Sequence, residues 1–387
     1  MLTERIEFAP ERDAEVFTSV PGSPAVFLLR GGDPQAEPYV SKTANLRRRL
    51  QRLLGPVEER TKKLNLRDRV RSIEYSATGS DFESGFLLYG TLRATFPKTY
   101  QNRLRFRFAP LVKFHLENQY PRASITTRLG KLKGRSFYYG PFVSRVAAEK
   151  FMNDSLDFFK MRRCVDDLHP DPTFPGCIYS EMKMCLAPCF KGCTDDEYAT
   201  EVQRVQGYFD TGGDSLLREL SDQREAASAN LAFEEAAAIH TRVEKLKSVL
   251  TGLPEIVHRL DQLSALMIQP SHIEGCVTFF RVVSGRLSAP CTFNIQPSEH
   301  AKSQSMEARV EEALRSVPTD PAKSALEAME HLALLKRWYY RGSRTGEIFF
   351  ADTKGELPMR RVVRGISRVF RGEKPEAENV TPVSPSS

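Results

Sequence analysis

The sequence predicts an α+β protein built from several modules, and three observations set that class. Short apolar runs with strand character alternate with helical stretches over roughly the first 160 residues. Five of the seven cysteines then fall between Cys164 and Cys193. From Thr194 to Thr251 the pattern is helical, and strand signals return at Cys276. The 387 residues suffice for two or three hydrophobic cores. No apolar run approaches the ~18 residues that span a bilayer. Residues Met1 to Glu7 carry acids and no long apolar stretch, so they do not read as a signal peptide. A cytoplasmic protein without a membrane partner is expected. In that compartment clustered thiols serve metals or redox chemistry more often than disulfides.

The charge is uneven. Residues 42–135 hold 22 Lys/Arg and 7 Asp/Glu, a net of +15, within a chain of net +7. Such a stretch suits a polyanion, most simply nucleic acid, attached to neutral or acidic modules. A solvated basic face is the alternative.

Pro21-Gly22 opens a turn, Ala25–Leu29 is a short apolar run, and Gly31-Gly32-Asp33-Pro34 breaks it before Pro38-Tyr39-Val40 resumes. This is a β-hairpin with a glycine-rich loop. Asn45 caps a helix over residues 46–54, with Leu46, Leu50, Leu53 and Leu54 on one face and arginines elsewhere, stopped at Gly55-Pro56. A strand over 73–77 and a helix over 82–92 follow. Residues 103–108 alternate Arg and apolar side chains, the pattern of a half-buried strand with a basic outer face. Phe137–Phe142 is an aromatic turn around Gly140-Pro141, in which Phe137 and Phe142 suit the core and Tyr138 suits either packing or stacking on an unpaired base. A helix over 145–160 leads to the cysteines.

Cys164, Cys177, Cys185 and Cys189 are spaced C-x12-C-x7-C-x3-C, in a proline-interrupted stretch with at most one helical turn near 179–184. Such a loop needs a constraint besides backbone hydrogen bonds, and metal ligation supplies one. The paired C-x2-C knuckles usual for zinc are absent, which leaves zinc, an iron–sulfur cluster or four reduced thiols open. Thr194–Glu197 is a capping box opening a helix to Phe209. Two further helices form an antiparallel hairpin. The second has Phe233, Ala237, His240, Val243, Leu246 and Leu250 on its expected apolar face, with His240 as a packed histidine. Cys276–Val283 and the residues after Ser284-Gly285-Arg286 read as a β-hairpin with Cys276 and Cys291 in its core. A helix over 332–340 and a strand over 346–350 follow. Glu373–Ser387 has the composition of a disordered tail.

The order Ala25-Val-Phe27, loop, Tyr39-Val-Ser41-Lys42, Asn45-Leu-Arg47-Arg48-Arg49 resembles the GIY-YIG nuclease domain. Together with Tyr139-Gly140-Pro141-Phe142, the four-cysteine pattern ending Ala187-Pro188-Cys189, and Leu231-Ala-Phe233-Glu234-Glu-Ala-Ala237, the sequence is similar to the N-terminal half of the UvrC family, the incision subunits of bacterial nucleotide excision repair. The resemblance implies a small α/β/α nuclease-like domain over 1–100, a basic DNA-binding region over 101–163, and a cysteine-rich region over 164–213. A UVR helical hairpin over 214–253, a partial β-hairpin/helix module over 254–371 and a tail over 372–387 complete the expected division. No stretch matches the family's RNase H-like nuclease.

Carried over by position, Tyr39, Lys42 and Arg49 match the catalytic tyrosine, lysine and arginine. Phe27 replaces a tyrosine and Ser41 a glycine. Tyr89 stands where the family has the glutamate that holds Mg²⁺ or Mn²⁺, and a neutral phenol is a poor ligand for a hard dication. With the helix aligned differently, Asp81 and Glu83 are the candidate acids. The resemblance also implies a 4Fe–4S cluster on Cys164, Cys177, Cys185 and Cys189, with zinc the alternative. It implies DNA contacts from Arg47, Arg48, Arg52, Arg105, Arg107 and Tyr138, and docking of a UvrB-like partner through Leu231, Phe233, Glu234 and Ala237. Three functions follow: a repair adaptor with a degraded nuclease site, a nuclease making one incision, or a DNA-binding redox sensor.

Overall fold

A computed structural model describes residues 2–56, 64–130, 136–296, 304–317, 324–352 and 354–374. The basic residues Arg60, Lys62, Lys63, Lys131, Lys133 and Arg135, and the expected tail from Pro375 onward, lie outside these.

The N-terminal domain begins with β1 (Glu4–Glu7) and α1 (Asp13–Ser19), neither of which the sequence pattern marked. The expected hairpin follows as β2 (Ala25–Gly31) and β3 (Tyr39–Thr43). Asn45 caps α2 (Leu46–Leu54) by accepting the Arg48 N–H at 2.9 Å. β4 (Val70–Ala77) and α3 (Asp81–Thr95) complete the domain. The sheet is antiparallel, in the order β1-β4-β2-β3. Phe27 pairs with Ser41 and Leu29 with Tyr39, so these four side chains share one face. That face packs on α1 and the leucine stripe of α2. Val40 and Lys42 therefore point to the other face, where α3 lies.

α4 (Tyr100–Leu104) follows. The strand expected over 103–108 does not form: Arg105 ends α4 in the left-handed region (φ 51°), and the next residues pair with no sheet edge. The alternation survives as exposure, since Phe106 and Phe108 stack at 6.0 Å while Arg105 and Arg107 face solvent.

The middle domain has a four-stranded antiparallel sheet, β5 (Leu111–Phe114), β6 (Ala123–Thr126), β7 (Phe137–Gly140) and, much later in the chain, β8 (His258–Arg259), in the order β6-β5-β7-β8. Between β7 and β8 come α5 (Arg145–Leu156), shorter than expected, the single turn α6 (Ile178–Glu181), and α7 (Asp195–Asp210) with its capping box. The hairpin helices α8 (Asp214–Ala229) and α9 (Phe233–Thr251) follow. Gly213 (φ 99°) makes the α7–α8 turn, and a Cβ there would lie 2.5 Å from Leu250. Phe137 and Phe142 are buried as expected.

The C-terminal module is more complete than the hairpin and helix expected. β9 (Ala265–Pro270), β10 (Cys276–Val283), β11 (Arg286–Leu287), β12 (Cys291–Asn294) and β13 (Glu347–Phe350) form one sheet. α10 (Met306–Ser316) and α12 (Met359–Arg371) close a core on one face with Ile268, Phe279 and Phe349. Cys276 and Cys291 are both half-buried; Cys291 packs against that core, while Cys276 sits at the start of β10. α11 (Ala325–Tyr339) covers the other face and carries Leu332, Leu335 and Trp338 into the core shared with the middle domain. Among the described residues no helix is long and apolar enough to cross a membrane.

Candidate functional site

Tyr39 and Arg49 meet. The hairpin and the helix capped by Asn45 hold them so that Arg49 Nη2 donates to the Tyr39 hydroxyl at 2.9 Å. Phe27 lies beside Tyr39, ring centroids 6.0 Å apart, where it has no hydroxyl to add. Lys42, three residues along β3 from Tyr39 and on the opposite face, pairs with Asp81 Oδ1 at 2.5 Å. Asp81 Oδ2 accepts from Arg341 Nη1 at 2.7 Å. Burial would raise the Asp81 pKa, but its bonds to Lys42 and Arg341 outweigh that and hold it below the usual value.

Tyr89 is buried and fully engaged. Its hydroxyl donates to Glu330 Oε2 at 2.8 Å and accepts from Arg93 Nη1 at 2.9 Å. Burial, then the Glu330 carboxylate, push its pKa up, so it stays a neutral phenol. Glu330 Oε1 accepts from Tyr100 at 2.6 Å and Gln101 at 2.7 Å. Arg93 also pairs with Glu327 at 3.0 Å. The helix position expected to bear a metal carboxylate is thus one half of an interface with α11. The other nearby acids are occupied too. Glu83 Oε2 accepts the Gly79 N–H at 2.8 Å at the start of α3, and Asp81 is shared between two cations.

Sequence reasoning did not find Glu327, Glu330 or His331. Their signal is a Glu-x-x-Glu-His run on a helix otherwise rich in Leu and Ala, where acids at i and i+3 face one side. His331 Nδ1 accepts the Leu287 N–H at 3.0 Å, and burial lowers its pKa to about 4.

Of the expected DNA contacts, Arg47, Arg48, Arg52, Arg105 and Arg107 are exposed. Arg47 also donates to the Val20 carbonyl at 3.0 Å and to the Thr18 carbonyl, tying down the end of α1. The Tyr138 hydroxyl accepts the Gly130 N–H at 2.7 Å and its ring packs on the core, so it is no free stacking platform.

Cys164, Cys177, Cys185 and Cys189 gather at one place. Burial, and then the other three thiols, raise the Cys185 pKa to about 11. Two donors already point at sulfur: the Ala187 N–H at 3.3 Å from Cys185 Sγ, and Arg162 Nη1 at 3.4 Å from Cys164 Sγ. Arg162 is buried and also holds the Tyr120 and Asp166 carbonyls. Among the described residues no three His, Cys, Asp or Glu side chains are closed to the spacing of a finished metal site. The donor set, four soft sulfurs with N–H groups aimed at them, fits an iron–sulfur cluster in chemistry. Cys193 lies near Cys189 as well as Asp195 and Glu197, and burial is the first cause raising its pKa.

The hairpin's buried stripe is Ile239, Val243 and Leu246. The expected apolar face is therefore corrected. Phe233, Ala237 and His240 are exposed, because His240 lies one residue, about 100°, from the Ile239 stripe. Leu231 (φ 60°) and Phe233 at the hairpin tip are 72% and 65% exposed, and Glu234 flanks them in solvent.

Residues 110–207 match the UvrC/Cho excinuclease middle domain, and residues 214–249 match the UvrB/uvrC motif. The UvrABC system protein C of Rickettsia bellii is 30% identical over 249 residues, 62% of this chain and 37% of that protein. That of Stenotrophomonas maltophilia is 24% identical over 366 residues, 91% of this chain and 59% of that protein. That of Acetivibrio thermocellus is 22% identical over 338 residues, 86% and 53% of the two. The chain thus spans less than two thirds of each of these relatives. No solved structure matches it. The middle-domain match, the match of the helical hairpin to the UVR motif and these relatives together show a chain similar to UvrABC system protein C over part of that protein's length.

Proposed function

We propose that the chain is a DNA-binding repair protein that holds DNA and a UvrB-like partner without cutting. Its N-terminal domain is taken as GIY-YIG-derived. The observation that carries this reading is Tyr89: buried, neutral and tied to Glu330 where a metal carboxylate is required. Both rival acids serve other bonds. A hard dication then has no carboxylate on α3 to anchor it, and a metal's share of transition-state stabilisation is several kcal/mol.

DNA contact is assigned to the exposed Arg48 and Arg52 of α2 and to Arg105 and Arg107, as sequence-independent phosphate neutralisation. Partner docking is assigned to the hairpin tip. Leu231 and Phe233 expose apolar surface there, with Glu234 and Ala237 beside them, and a two-helix hairpin does not bury such a patch by itself. The four cysteines are taken to hold a 4Fe–4S cluster that cross-links the end of α5 to α7. Zinc, held by the same four sulfurs at about 2.3 Å, is the alternative occupant.

One observation favours a single-incision nuclease instead: the Tyr39–Arg49 contact is intact. Incubating purified protein with supercoiled DNA, with Mg²⁺ or Mn²⁺, while measuring DNA binding in the same samples, separates the two. Binding without nicks supports the adaptor.

A further inference from the structure

Between α3, the chain after α4, and α11 lies a cavity of about 530 Å³. Among the described residues its wall carries Lys42, Arg105, Arg107, Lys336 and Arg337 and no acid. Apart from Lys42, held by Asp81, none of these cations has a side-chain partner among the described residues. Lys336 is half-buried; burial, then the charge of Arg107, lower its pKa. Like charges gathered in a concavity repel one another, and a bound anion relieves that repulsion. The remaining lining is apolar, from Leu88, Leu104, Phe106 and Leu334, with Phe106 offering an aromatic ring. Gly85 forms part of the wall, and a Cβ there would meet nothing within 4 Å.

The size decides among anions. A cavity of this volume falls in the range of small-molecule sites, too small for a duplex and roomy for a single nucleotide. Cations on one side and an aromatic ring with leucines on the other match a phosphate joined to a base. Two of the cations come from α11, so the site exists only because the C-terminal module docks on α3 through Tyr89–Glu330.

We propose that this cavity binds one unpaired nucleotide bearing a terminal phosphate, as at the end of a nicked or resected strand. The proposal rests on the DNA-binding reading and specifies what kind of end the protein holds. A terminal phosphate carries more charge than an internal phosphodiester, and Lys336, Arg337, Arg105 and Arg107 answer it together.

The test is fluorescence anisotropy with one single-stranded deoxyoligonucleotide made with a 5′-phosphate, a 3′-phosphate or hydroxyls at both ends, alongside a blunt duplex. Free deoxyadenosine monophosphate serves as competitor. The variants are Lys336→Gln, which removes one cation, and Gly85→Leu, which fills the cavity without touching charge and at a position where helix propensity improves. At least one phosphorylated end is expected to bind about five-fold or more tighter than the hydroxyl-ended strand. Both variants are expected to lose that preference, with duplex affinity within about two-fold of the parent, since neither residue is among the phosphate-neutralising arginines. Displacement by the free nucleotide at equal concentration supports the same site with a free nucleotide as its occupant. Equal affinity for phosphorylated and hydroxyl ends, or a preference that persists in both variants, overturns the proposal while leaving DNA binding in place. Failure to bind any of the DNAs overturns the DNA-binding reading as well.

Discussion

Replacing Tyr89 by Phe removes one hydroxyl from a buried network and leaves the ring packed against Tyr100, Phe106 and His331. The hydroxyl gives one bond to Glu330, at 2.8 Å, and takes one from Arg93, at 2.9 Å. A hydrogen bond to a charged group contributes about 1.5–3 kcal/mol. Glu330 keeps Tyr100 and Gln101, and Arg93 keeps Glu327, so neither charge is left unpaired and the loss falls at the lower end, about 2 kcal/mol. Glu330→Gln weakens three bonds at once and costs about 2–3 kcal/mol. If Tyr89 and Glu330 act on each other, the double variant is less destabilised than the sum, with a coupling of about 1–2 kcal/mol. Native-state amide exchange along α11 reads these energies locally, which suits a chain of several modules. A coupling below about 0.3 kcal/mol would refute the claim that this contact docks α11 on α3, because independent sites add to within about that error.

Other outcomes follow from the same geometry. His331 has a folded pKa near 4 against an ordinary 6.5. The unfolded chain therefore takes up a proton first as pH falls, and stability drops between about pH 6.5 and 4, on the order of 3 kcal/mol when complete. Glu327, Arg286 and Arg93 surround the ring, and His331→Asn should flatten that part of the pH–stability curve. The depressed Asp81 acts only at lower pH, as protonation breaks its bonds to Lys42 and Arg341. Phe233→Asp, at an exposed position, should leave thermal stability within about 0.5 kcal/mol yet weaken capture of a UVR-bearing partner at least about ten-fold in pull-down titration. Cys185→Ser should abolish the visible absorbance and the iron and sulfide content of anaerobically purified protein. A colourless, zinc-containing parent protein would refute the cluster.

The elements legible in the sequence are those whose signals are local. Asn45 and the leucine spacing placed α2, Thr194–Glu197 placed α7, and the turn residues at 31–34 and 284–286 placed two hairpins. Residues 103–108 show where local pattern misleads. Alternation there reflects two stacked rings and two solvated arginines, and no neighbouring strand was available to turn it into a sheet. The four cysteines lie close together in the chain, but it is the resemblance to the UvrC family, not spacing alone, that singles them out from Cys193. The other half of the Tyr89 site could not be read from the sequence, since Glu330 is 241 residues away and only tertiary packing brings it to α3. The basic cavity is composite for the same reason. Its cations from α11 lie in a part of the chain whose overall charge is negative.

The measurement that bears most directly on the central claim is nicking of supercoiled DNA by the purified holo-protein with Mg²⁺ or Mn²⁺. Parallel lanes carry Arg49→Ala and Tyr89→Glu. A carboxylate introduced at residue 89 would face Glu330 rather than an open metal site, so it too should fail to cut. The account predicts that the protein binds the DNA and that no lane shows nicks above background. Nicks made by the parent protein and lost in Arg49→Ala would contradict it.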